Sequence, residues 1–309
     1  MSRLCLLAVF AIAFAQAVST QQPPVFRAGT DTVRVFVTVT DKSERLLTDL
    51  ARDDFQILDN GRPQPLTLFD STPQPIRLVV MLDVSTSMMG NLPLLRTACV
   101  ELFGHLRDDD LARVGTFGQE ITIDPTFTRD PASLRSSLPT EISPNAPTPL
   151  WRAMNEAINT LAELEERRVV LVLSDGKDSG PRKFGEKYIT QLEVVERAQR
   201  DEVMLYGIGM RSRMPGFPGG GDIRTMLTAD LPDPGLGTVA LETGGGYVEI
   251  KAHDNLAAAF AHVADELHSQ YLLGFTPPAR DGKVHKIEVK IGRKDAKPRA
   301  RKNYVAPKG

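Results

Sequence analysis

The 309-residue sequence is poor in the residues that usually carry soft-metal or redox chemistry: its only cysteines are Cys5 and Cys99. Its five scattered histidines, at 105, 253, 262, 268 and 285, include no HExxH pair. A disulfide scaffold and a thiolate or histidine zinc site are therefore both unsupported. There is no GxSxG nucleophile elbow, no GxGxxG turn and no internal repeat. The composition is that of an ordinary folded protein, 41% hydrophobic and 25% charged with a formal charge of -2, which excludes extended disorder and a collagen-like fibre. The length suits about two domains, or one large domain with a smaller companion.

Residues 1–17 read as a secretory signal. Arg3 gives a short basic start, residues 4–15 are apolar, and Ala15-Gln16-Ala17 is a small-x-small cleavage site. The apolar run is shorter than the roughly 20 residues that cross a bilayer, so no transmembrane segment is expected after cleavage. The mature protein is expected to be secreted or periplasmic, with Cys99 as its only thiol. Residues 280–309 hold 11 Lys and Arg against 3 Asp and Glu, a surplus of +8. This tail is read as a solvated strand face lying against an acidic body. Nucleic acid is not an expected partner of a secreted chain.

Hydrophobic spacing divides the chain. Residues 25–72 alternate, with Val33, Val35, Val37 and Val39, then Phe55 and Ile57, then Leu66 and Leu68, and an Asp59-Asn60-Gly61 turn signal. From 76 onward, continuous apolar runs at 76–82, 169–173 and 203–208 are separated by amphipathic stretches. Such runs suit strands covered on both faces, so a doubly wound, mainly parallel α/β sheet is expected over 76–270. Leu95, Cys99, Leu102 and Leu106 mark one buried helix stripe, and further helices are expected over 149–167, 187–200 and 255–269. A Gly- and Pro-rich insertion at 211–238 reads as an exposed loop. Residues 271–306, with strands at 271–275, 284–291 and 299–305, are expected to pair with the N-terminal segment as a smaller β domain.

Two acidic sites stand at the ends of these strands. The first buried run closes on Asp83-Val84-Ser85-Thr86-Ser87, and the second on Ser174-Asp175-Gly176. The carboxyl rim is where open α/β sheets place their ligands. Thr148, between Pro147 and Pro149, precedes a helix. Hydroxyls and carboxylates without thiol or imidazole suit a hard divalent cation, Mg²⁺ or Mn²⁺.

These residues resemble the von Willebrand factor type A (VWA) domains, whose metal-ion-dependent adhesion site has the pattern Asp-x-Ser-x-Ser, a distant Thr and a later Asp. The matching positions are Asp83, Ser85, Ser87, Thr148 and Asp175, in that order. The resemblance spans about residues 76–269, includes Thr243-Gly244-Gly245 before the last strand, and extends to the flanking β segments of secreted bacterial relatives. It implies that Ser85, Ser87 and often Thr148 bind Mg²⁺ directly, while Asp83 and Asp175 act largely through water. The ion then remains electrophilic enough to take a Glu or Asp from a partner protein, in adhesion or extracytoplasmic assembly. It also implies a switch in affinity at Thr148, which the two flanking prolines restrict.

Other readings stand beside this one. Ser85 and Ser87 could cap the following helix, and Asp175-Gly176 could be an ordinary turn. Asp178 reads as a surface charge, the histidines as surface or satisfied core positions, and Leu150 and Trp151 as packing residues. A Mg²⁺-dependent hydrolase is the alternative function, but the Asp-x-Asp pair of phosphotransferases is missing. A structural scaffold in which the ion only stabilises the rim is the third. The expected protein is thus a binding module and not an enzyme.

Overall fold

The computed structural model describes residues 32–181, 187–210, 232–250 and 255–308. The expected leader at 1–17, most of the 211–238 segment and His253 lie outside them.

The valine alternation turns one face of β1 (Val33–Thr40) into a core, with Val33, Val35, Val37 and Val39 all buried. Strands β2 (Phe55–Asp59) and β3 (Arg62–Gln64) form a hairpin. Its two turn residues, Asn60 and Gly61, have φ of 47° and 79°. Positive φ at both positions matches the right-handed strand twist, which is why Asn-Gly suits this turn. The short β4 (Leu68–Asp70) follows.

Strand β5 (Ile76–Asp83) is buried at every position but Arg77. After it, α1 (Leu92–Gly104) buries Leu95, Cys99 and Leu102; Leu106 lies beyond its end but packs on the same core. Burial pushes the Cys99 thiol well above its ordinary pKa, as expected of a core residue. Then come β6 (Leu111–Phe117), β7 (Ile121–Ile123), α2 (Pro131–Ser136), α3 (Leu150–Asn159), β8 (Arg167–Ser174), α4 (Gln191–Arg200) and β9 (Val203–Met210). The region closes with α5 (Pro234–Glu242), β10 (Tyr247–Ile250) and α6 (Leu256–His268). The six-stranded sheet has the order β10-β9-β8-β5-β6-β7, parallel except for β7 against β6. Side chains of α1 and α6 fill one face and those of α3, α4 and α5 the other, giving the doubly wound α/β arrangement.

Several sequence expectations change. Strand β6 had no counterpart, because Arg113 interrupts its apolar run. In the fold its guanidinium stacks 4.1 Å from the Phe127 ring and donates to the Thr160 carbonyl at 2.7 Å. Helix α3 stops at Asn159, short of 167, and α4 begins only after Thr190, whose side chain forms a capping box with Glu193. The loop expected through 238 ends earlier: Asp233 accepts from Gly235 N at 2.8 Å, Pro234 opens α5, and Leu236, Val239 and Ala240 are buried.

The C-terminal strands are β11 (Tyr271–Phe275), β12 (Val284–Ile291), β13 (Lys297–Arg299) and β14 (Asn303–Val305). They return to the N-terminal segment in two antiparallel sheets, β13-β1-β11-β4 and β14-β12-β2-β3. The run expected at 299–305 is divided between them, with Arg299 opposite Thr38 and Asn303 opposite Lys286. Between these two strands, Arg301 bridges Thr243. Much of the basic tail meets acidic partners: Arg293 with Asp49, Arg299 with Glu266, Arg301 with Glu202 and Lys302 with Glu242. Among the described residues no helix is long and apolar enough to cross a membrane.

The Thr243-Gly244-Gly245 turn is set by close backbone approach. Thr243 Oγ1 accepts from Leu205 N at 3.1 Å, and a Cβ on Gly245 would stand 2.0 Å from the Leu205 carbonyl oxygen. Gly245→Ala is expected to destabilise the protein by about 1–3 kcal/mol or more, read as a lower urea midpoint. An unchanged midpoint would mean that the turn can move away from β9.

Candidate metal centre

Parallel pairing of β5 with β8, in the register Leu82 with Leu173, brings Asp83 and Ser174 to the same carboxyl rim. Ser174 Oγ donates to Asp83 Oδ2, and Ser85 N donates to Asp83 Oδ1 at 2.8 Å. A short 3-10 turn (Thr86–Gly90) follows, with Ser85 at its N-cap position but with no capping bond from the side chain. Ser85 Oγ lies instead 3.1 Å from Ser87 Oγ, and Ser87 Oγ donates to Asp175 Oδ1 at 2.6 Å. Capping therefore does not account for Ser85.

Thr148 reaches this rim from the loop before α3. Its carbonyl accepts from Leu150 N at 2.8 Å and from Ser179 N at 2.9 Å. The Ala146 carbonyl accepts from Thr86 N at 3.2 Å, fastening the loop to the serine turn. The Thr148 side chain lies over Gly176, where a Cβ would be 2.9 Å from Oγ1. Glycine after Asp175 is what lets the threonine approach. The structure thus links all five sequence-selected residues around one rim.

The electrostatics there are unbalanced. Asp83 is fully buried and Asp175 is 1% exposed. Burial pushes the Asp83 carboxyl up to about 7, with bonds from Ser174 and Ser85 offsetting part of the shift and the Asp175 charge adding to it. Burial likewise pushes Asp175 up to about 6, against the bond from Ser87. Asp175 Oδ2 is buried without a hydrogen-bond partner. A buried acceptor normally has one. Among the described residues no three His, Cys, Asp or Glu side chains gather in a metal-binding group. The donors here are two carboxylates and three hydroxyls, all hard oxygens with modest total charge, and they fit a small divalent cation better than a soft one.

Sequence reasoning passed over Ser174 as a contributor. Its position as the last residue of β8, next to Asp175, was the available signal. It also misplaced Asp178, which is half-buried and not a surface charge. Asp178 Oδ1 accepts from Trp151 N at 3.3 Å and Oδ2 from Gly180 N at 2.9 Å, satisfying the start of α3, where Pro149 has no side chain to do so. Leu150 and Trp151 are buried packing residues. His268 and His285 pair with carboxylates elsewhere, at Asp110 and Asp59.

The family model of the von Willebrand factor type A domain matches residues 78–229, a span that includes all five rim residues. This chain carries a VWA domain. Such domains are generally protein-interaction modules and are often metal-dependent. Solved structures similar to this chain are of low identity. A von Willebrand factor type A protein from Catenulispora acidiphila is 10% identical over 91% of this chain and 76% of its own, with a TM-score of 0.48. BatB from Bacteroides thetaiotaomicron is 17% identical over 62% of this chain and 98% of its own, with a TM-score of 0.47. An aerotolerance-related membrane protein from Bacteroides fragilis is 15% identical over 62% and 98%, with a TM-score of 0.45. No curated protein matches the chain.

Proposed function

We propose that the VWA domain binds Mg²⁺, or Mn²⁺ in its place, through Asp83, Ser85, Ser87, Thr148 and Asp175, and thereby captures an acidic side chain of a partner protein outside the cytoplasm. The observation that carries this reading is the buried, unpartnered Asp175 Oδ2 beside a row of hydroxyls linked to a second buried carboxyl. When bound, the cation supplies a Lewis-acidic position for one partner carboxylate. Asp83 serves largely as a buried anchor, oriented by Ser174 Oγ and Ser85 N. Ser85, Ser87 and Thr148 offer neutral oxygens while Asp83 and Asp175 act largely through water, so the ion's directly bound ligands carry little negative charge and it stays electrophilic. The apolar leader at 1–17 supports export to the periplasm or beyond.

Mn²⁺ titration followed by electron paramagnetic resonance is expected to give one saturable site per chain. Mg²⁺ should compete for it, and Asp83→Asn should weaken it at least about tenfold. Adding glutarate should then broaden or shift the bound Mn²⁺ signal as a carboxylate joins the ion. Absence of a saturable site, or an Asp83→Asn titration that overlays the wild type, would remove the metal from this account; a site indifferent to glutarate would remove the acidic partner.

A further inference from the structure

Four arginines line a cavity at the amino-terminal ends of β8 and β9, the rim opposite Asp83 and Asp175. Arg167 and Arg168 come from the start of β8, Arg34 from β1 and Arg301 from the segment between β13 and β14. The cavity leaves about 30 Å³ for the centres of water-sized atoms, more than a single water requires.

Charge around it does not balance. Glu202 alone serves three guanidinium groups, 2.9 Å from Arg301, 3.5 Å from Arg34 and 3.8 Å from Arg168. Glu166, the other acidic residue at the wall, is drawn to Arg77 at 2.6 Å. Arg167 uses its terminal nitrogens on the Leu267 carbonyl and Gln270, and its face on Phe36. Burial, with repulsion from Arg34 and Arg301, holds the Arg168 guanidinium below its ordinary pKa despite the attraction of Glu202 and Asp201.

The donors are not satisfied either. Arg167 Nε, Arg168 Nε and both Nε and Nη1 of Arg301 are buried with no hydrogen-bond partner. Arg167 is 6% and Arg301 8% exposed, so these are interior charges. Buried charged donors without acceptors are costly, and waters would supply acceptors but no negative charge. An anion supplies both. Guanidinium edges present N-H pairs that match oxyanions in geometry as well as charge.

We propose that this cavity is a binding site for one inorganic oxyanion of the phosphate or sulfate class, held by Arg167, Arg168 and Arg301. The bound anion neutralises the surplus left by Glu202 and joins the N- and C-terminal β segments to the amino rim of the central sheet. It is independent of the proposed cation site at the opposite rim.

Calorimetric titration of the full chain with sodium phosphate, and separately with sodium sulfate, in Hepes at constant NaCl is expected to show one saturable site for either anion. Arg301→Met should abolish it, and Arg301→Lys, which keeps the charge but not the fork, should weaken it at least about tenfold. Wild-type circular dichroism in oxyanion-free buffer serves as the folding control, and Arg168→Met replaces Arg301→Met if that control fails. Selenate in crystals should give an anomalous peak between Arg167 and Arg301. The proposal is overturned by the absence of saturable heat with both anions, by unchanged affinity in the folded arginine variants, or by selenate bound only elsewhere.

Discussion

Asp175→Asn is expected to abolish stabilisation by magnesium while leaving the metal-free protein at least as stable as wild type at neutral pH. The amide keeps the side-chain volume and an acceptor for Ser87 Oγ, which lies 2.6 Å from the native carboxylate. What it removes is the negative charge at a buried oxygen that has no hydrogen-bond partner. A cation bound only to the folded state adds about 2.7 kcal/mol at 100 times its dissociation constant. The variant should gain almost none of this. Chemical denaturation in EDTA and in MgCl₂ measures both quantities. The pH dependence has a definite sign. Asp175 titrates near 3.8 in the unfolded chain and near 6 in the metal-free fold. Its contribution is therefore fully present below the unfolded value and is lost as pH rises through the folded one. Metal-free wild type should lose stability relative to Asp175→Asn between about pH 4 and 6. A variant retaining the full magnesium shift would exclude Asp175 from ion binding.

Glu266→Ala should produce the largest loss of stability from a single side chain, about 3–5 kcal/mol. Its carboxylate is 5% exposed and lies where the terminal sheets meet the central one. Oε1 accepts from Tyr206 Oη of β9, from Thr38 Oγ1 of β1 at 3.2 Å, and from Arg299 of β13. Gln270 Nε2 extends the network to Thr38 Oγ1 at 2.6 Å and Tyr206 Oη at 3.1 Å. Truncation strands a half-buried guanidinium and a buried phenol together, whereas Glu266→Gln retains an acceptor and should cost less. Adding Arg299→Ala to Glu266→Ala should cost less than the sum of the two single changes, with a coupling of about 0.5–3 kcal/mol. Urea unfolding of the four proteins completes the cycle, and strict additivity would show that the pair is not coupled.

The legible parts of this protein were those whose burial leaves a local pattern. Strands β5, β8 and β9 are covered on both faces, so their runs are almost wholly apolar. Strand β1 buries one face, so its valines alternate. Asn60-Gly61 announced its hairpin because few other residues accept positive φ at successive positions. Where a polar residue is made tolerable by a distant partner, the pattern failed. Arg113 concealed β6 because Phe127 and the Thr160 carbonyl cover it, and Asp178 looked exposed because the N-H donors it meets from α3 and Gly180 could not be foreseen.

The sequence by itself determined the alternation of strands and helices, the turn chemistry, and the order of the five oxygen-bearing residues. Those features depend on neighbours a few positions apart. Only the tertiary structure decided that β1 pairs with β11, that Ser174 braces Asp83, that Asp175 Oδ2 is left without a partner, and that four arginines share one cavity. Each of these depends on which segments meet across more than about ninety residues of chain or on which polar atoms lose their water when they do, and neither is encoded in local periodicity.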